Sequence, residues 1–76
     1  MIIKIQLNTG HIINVDIDIK DTVVQIKEKI FKQEGLHPAQ QKLIHSGQLL
    51  QGSKTAEELQ LRAGTTLQLV VNLRGG

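Results

Sequence analysis

Cysteine, tryptophan and tyrosine are all absent from the 76 residues, and Phe31 is the one aromatic side chain. Without cysteine there is neither a disulfide framework nor a thiol to serve as nucleophile or metal ligand. The same absence accords with a reducing compartment. Without a set of aromatic rings there is no platform on which nucleic-acid bases could stack. No apolar run approaches the ~20 residues of a membrane helix, and no signal-peptide pattern opens the chain. Charge of one sign is also in short supply. Nine Lys and Arg against seven Asp and Glu leave a net charge of +2, and the lysines are interleaved with acids instead of forming the dense basic stripe of a nucleic-acid binder. Nucleic acid and membrane are therefore not expected partners. A chain this short buries only about 60% of its unfolded surface, so one efficient core must carry the fold. What is present to build it is Ile, Leu and Val.

Residues 1–7 alternate, with Met1, Ile3, Ile5 and Leu7 one way and Lys4 and Gln6 the other, as in a half-buried strand. Asn8-Thr9-Gly10 reads as a turn. Residues 12–19 alternate again, placing Ile13, Val15, Ile17 and Ile19 inward, so the two segments form a hairpin. The period then changes. Thr22 followed by Gln25 matches a capping box, and Asp21 adds favourable charge at a helix start. Val23, Ile26 and Ile30 share one helical face, while Glu28 and Lys32 make an outward i,i+4 pair. Gly35 fits the stop, and His37 before Pro38 begins a non-helical link. Gln41–His45 reads as a short strand with Leu43 inward, Ser46-Gly47 as a turn, and 48–50 as a very short strand. Glu57–Leu61 is expected to form one helical turn. Residues 65–72 make the last strand, with Leu67, Leu69 and Val71 on one face.

One helix covers only one face of a sheet and leaves the other wet. The long apolar first and last strands are expected to pair centrally and in parallel. The fold class is then α+β: a β-grasp with a mixed sheet of about five strands and one helix packed across one face. Residues 1–72 form the domain, and residues 73–76 a flexible tail.

Two features point to partners. Ile44 follows inward Leu43, and Val70 lies between Leu69 and Val71, so both are expected to face solvent. Two exposed aliphatics on neighbouring strands make a small apolar patch of the sort that marks a binding surface. The chain also ends in Leu73-Arg74-Gly75-Gly76. Gly75 and Gly76 carry no side chain, so the tail is thin enough for a narrow enzyme channel. Its carboxylate could be activated as an acyl-adenylate, passed to a thiol and then to an amine. Glycine is equally common in frayed chain ends, so the tail alone leaves both readings open. Catalysis by the chain is not expected. His11, His37 and His45 lack metal-ligand spacing, His45-Ser46 is no triad, and the glycines form no phosphate loop. No cofactor or metal is called for.

Along its whole length the chain resembles ubiquitin. The shared residues include Thr9-Gly10, Asp21-Thr22, Lys27, Lys29-Ile30, Glu34-Gly35, Pro38, Gln40-Gln41, Leu43-Ile44, Gly47, Leu50, Thr66-Leu67, Leu69-Val70 and Leu73-Arg74-Gly75-Gly76. Within that family it looks more similar to the cullin-modifying Rub or Nedd type. Lys4, Asp16-Ile17, Ile26-Lys27-Glu28, Ser46-Gly47, Lys54-Thr55-Ala56 and Gly64 lean that way. The resemblance implies a protein modifier joined through Gly76 to target lysines. An activating enzyme, a conjugating enzyme and a ligase would attach it, cullin-type proteins would receive it, and deconjugating proteases would remove it. The modifier is expected to be a monomer, in cytoplasm and nucleus.

Site residues follow from the same resemblance. Leu73, Arg74 and residue 72 would meet the activating enzyme. Residue 72 is arginine in ubiquitin and alanine in the Rub type; here it is Asn72, which departs from both. Ile44, Val70, Gln68, Asn8 and Lys42 would form the main partner patch, with Asn8 replacing an apolar residue and Gln68 a histidine. Leu36 with Val71 and Leu73 matches a second contact surface. Gln40 matches the glutamine that bacterial deamidases attack in this family. Ubiquitin's chain-forming positions read here as Gln6, His11, Lys27, Lys29, Gln33, Gln48 and Ala63, so only Lys27 and Lys29 keep an acceptor amine. Gln48 also departs from the Rub type, which normally has lysine there. A divergent ubiquitin with restricted chain options, a non-conjugated ubiquitin-like docking domain and a small sulfur carrier stand as alternatives.

Overall fold

The computed structural model describes residues 1–72. Strands β1 (Ile2–Leu7) and β2 (Ile12–Asp16) form an antiparallel hairpin. Their alternation sorts the faces: Ile3, Ile5, Ile13 and Val15 are buried, while Ile2, Lys4 and Gln6 are exposed. Ile17 keeps the inward phase because its N–H still donates to Met1 O at 2.8 Å. Ile19 does not, and lies 44% exposed. The ladder has ended by then, and a turn in which Asp21 N–H donates to Asp18 O at 3.0 Å replaces it. Outside a ladder the period of two no longer applies.

Helix α1 (Val23–Glu34) begins at Thr22, whose hydroxyl accepts from Gln25 N–H while Gln25 Oε1 accepts from Thr22 N–H at 2.8 Å. This reciprocal box satisfies two orphan donors of the first turn. Gly35 ends the helix at φ 75°, its N–H donating to Phe31 O, a conformation that a Cβ would disfavour. Val23, Ile26 and Ile30 are wholly buried and join the inward residues of the sheet in one core. Glu28 and Lys32 do not close into an ion pair. Among the described residues the pairs are Met1–Asp16 and Lys29–Asp21. A solvated i,i+4 pair gains only ~0.3 kcal/mol, too little to hold two long side chains together.

His37, extended at ψ 141°, leads into a 3-10 turn at Pro38–Gln40. Strands β3 (Gln41–His45) and β4 (Gln48–Leu49) follow, joined by Ser46 and Gly47 at φ 53° and 76°. Two successive positive φ values are what a type I′ hairpin turn requires. Residues 57–61 form hydrogen-bonded turns in place of the expected helical turn. Leu59 N–H donates to Thr55 O, but Gln60 at φ 57° breaks the run. Leu61 still anchors the segment in the core. Strand β5 (Thr66–Val71) returns between β1 and β3.

The sheet order is β2-β1-β5-β3-β4, with β1 and β5 parallel and the other pairs antiparallel. The parallel contact is made across the long excursion that contains α1, as parallel pairing demands. Gln41 is the buried polar residue of the described region; its Nε2 donates to Lys27 O at 2.9 Å and Leu36 O at 2.8 Å, tying α1 and its C-terminal exit to β3. This five-stranded mixed sheet with one helix across one face is a β-grasp.

Candidate interaction surfaces

Because α1 covers the inner face, the outer face of the sheet is left uncovered. Strand register decides what it displays. Gln6 pairs with Ile12 on one side and Gln68 on the other; Gln68 pairs with Ile44, and Ile44 with Leu49. Paired residues share a face, so these five side chains form one row across the sheet. The adjoining row holds Lys42 opposite Val70.

Ile44 is on the outer face and half-buried, Val70 is 38% exposed, and Leu49 is 61% exposed. The apolar patch therefore runs from Val70 through Ile44 to the β4 edge. Sequence reading missed Leu49. The signal was present: a two-residue turn at Ser46-Gly47 pairs His45 with Gln48, which forces Leu49 opposite Ile44. Asn8 and Gln68 are both exposed. With Gln6 and Val70 they line a shallow depression of about 260 Å³ beside the patch. Its walls offer amide donors and acceptors where the apolar strip ends.

The second surface lies at the end of β5. Leu36 and Val71 are half-buried at the rim of the core. Asn72 N–H donates to Gln40 O at 2.6 Å, so the chain leaves the sheet against the Pro38–Gln40 turn. Gln40, Leu36, Val71 and Asn72 are thereby gathered at one corner. Leu73, Arg74, Gly75 and Gly76 lie outside the described residues. His37, next to this corner, stacks on Phe31 with ring centroids 4.9 Å apart.

The two helix lysines differ. Lys27 is half-buried. Lys29 Nζ donates to Asp21 Oδ2 at 2.6 Å and to Asp16 O at 3.0 Å. The Asp18 N–H and then the Lys29 ammonium hold the Asp21 carboxyl below the usual carboxylate range. As an acceptor for acyl transfer, Lys29 would first have to leave both oxygens. Across the sequence the other positions are Gln6, His11, Gln33, Gln48 and Ala63, which carry no amine.

A family model described as the ubiquitin family matches residues 3–74. The chain belongs to the ubiquitin family. Within it, the chain is 45% identical to Ubiquitin-like protein 1 of Schizosaccharomyces pombe, over all 76 residues and 97% of that protein. It is 42% identical to Ubiquitin-like protein NEDD8 of Dictyostelium discoideum, over its full length and 99% of that protein. It is 40% identical to NEDD8-like protein RUB1 of Saccharomyces cerevisiae, again over its full length and 99% of that protein. These ubiquitin-family relatives match it end to end, so the outer-face patch and the Leu36–Val71 corner lie within the region they share with it.

Proposed function

We propose that this chain is a protein modifier of the Nedd8 or Rub type. The observation that carries this reading is the end-to-end similarity to small relatives bearing those names, at 38–42% identity. The Gly76 carboxylate is adenylated by a cognate activating enzyme, carried as a thioester and ligated to a target lysine, with cullins as the target class. Cytoplasm and nucleus are the compartments in which it acts. Asn72 and Arg74 meet the activating enzyme, and the Ile44–Val70 patch, extended by Leu49, grips downstream partners. The chain serves as a substrate of that cascade and performs no chemistry of its own.

Asn72 separates this reading from a divergent ubiquitin. A site built for arginine satisfies its acidic groups with charge-assisted bonds. A neutral amide leaves those groups unpaired, and such sites reject analogues strongly. The test is ATP-dependent thioester charging by the Nedd8-type and the ubiquitin-type activating enzymes, followed on non-reducing gels, with Gly76 deleted as control. Charging by the Nedd8-type enzyme alone is the expected result. Charging by the ubiquitin-type enzyme alone, or by neither, overturns the proposal.

A further inference from the structure

Strand β2 is one edge of the sheet. In its ladder the odd-numbered residues face β1: Leu7 N–H donates to His11 O, and Ile17 N–H to Met1 O. The backbone groups of Ile12, Asn14 and Asp16 therefore point away from the sheet. Such a row is a template for a further strand unless something covers it. Two side chains one turn apart on α1 do so. Gln33 Nε2 donates to Asn14 O at 3.1 Å, and Lys29 Nζ donates to Asp16 O at 3.0 Å. Lys29 is itself fastened by Asp21. Both donors are spent on carbonyls that a neighbouring strand would otherwise take.

We propose that Lys29 and Gln33 are a latch over the β2 edge, and that with the latch open this edge pairs antiparallel with β2 of a second copy, centred on Asn14. The outward groups are self-complementary in that register. Asn14 meets its own copy as a hydrogen-bonded pair, and Ile12 meets Asp16 on both sides, which suits a two-fold interface. No like charges oppose each other, because Asp16 faces Ile12. Ile12, 51% exposed, gains a neighbour across the new seam.

The absence of cysteine makes a register-specific test simple. Asn14→Cys is placed in the otherwise unchanged chain and in a Lys29→Met, Gln33→Leu background. Disulfide formation under oxidised glutathione is then timed on non-reducing gels. In the proposed register the two residues at 14 have Cα atoms about 5.5 Å apart, inside the ~4.4–6.8 Å that a disulfide spans. Ile12→Cys is the control, since residues at 12 are separated by about 13 Å there. The expected result is covalent dimer about tenfold faster with the latch removed, for position 14 and not for position 12. Equal rates with and without the latch overturn the proposal, as does cross-linking at 12 as fast as at 14. If the double variant fails to fold by circular dichroism, Gln33→Leu alone keeps the Lys29–Asp21 pair. It should give about a threefold acceleration at position 14, and no acceleration there is equally fatal.

Discussion

Asn72 stands where β5 ends, with its amide held by Gln40 O. That contact uses backbone only, so residue 72 can be exchanged without breaking it. On the proposed reading, Asn72→Arg should raise charging by a ubiquitin-type activating enzyme by about tenfold or more, since each charge-assisted bond is worth ~1.5–3 kcal/mol. Competitive thioester assays measure this, and an unchanged preference would remove residue 72 from the recognition set. Asp21 supplies a pH test of stability. Its carboxyl is held low, first by the Asp18 N–H and then by Lys29, so the unfolded chain binds protons more readily than the folded one. The stability it adds is complete above the ordinary carboxylate range and is lost as pH falls below about 4. Thermal melts from neutral pH to pH 2 should show wild type well above Asp21→Asn at neutrality and the gap closing in acid. A constant gap would mean that the pair contributes nothing through ionisation.

Helix α1 was legible to the residue at both ends, because each boundary is chemistry within a few positions: Thr22 with Gln25, and Gly35 at positive φ. Thr22→Ala should cost about 1 kcal/mol, which lowers the melting temperature by ~4–8 °C in a domain of this size. Calorimetry would expose a null effect at once. The hairpin faces were equally readable while the ladder lasted. Ile19 shows where that reading stops: alternation in the letters continued after the hydrogen bonds that give it meaning had ended. Glu57–Leu61 failed for a related reason. Its spacing suits a helical turn, but Thr55 and Glu58 form their own local box, with Glu58 N–H donating to Thr55 Oγ1 at 3.1 Å, and Gln60 then turns left-handed.

Across the molecule, the exposed apolar patch depends on which strands become neighbours. Ile44, Gln68 and Leu49 are distant in the chain and adjacent in the sheet. Leu49 is 61% exposed, so Leu49→Ser should leave stability within about 0.5 kcal/mol. Binding to a partner that grips the Ile44 patch should weaken by ~1 kcal/mol, as for an apolar contact residue toward one side of an interface. Titration calorimetry against a patch-binding conjugating enzyme or receptor tests it. Full affinity in Leu49→Ser would confine the patch to Ile44 and Val70. On the proposed reading, the polar side of the same surface, Asn8 and Gln68 around the depression, should disfavour partners that fill it with apolar groups, because those amides would be desolvated without replacement bonds.

Local order reached as far as local chemistry does. Strand phase, helix caps, the Ser46-Gly47 turn and the aliphatic core could be read from neighbours two to four residues apart, because backbone sterics and capping bonds act over that distance. The spending of Lys29 on the β2 edge, the row that joins Ile12, Gln6, Gln68, Ile44 and Leu49, and the corner where Asn72 meets Gln40 could not. Each rests on pairings between segments far apart in the chain. Their register is set when the whole core closes, since one slipped residue would turn every buried side chain of a strand to solvent.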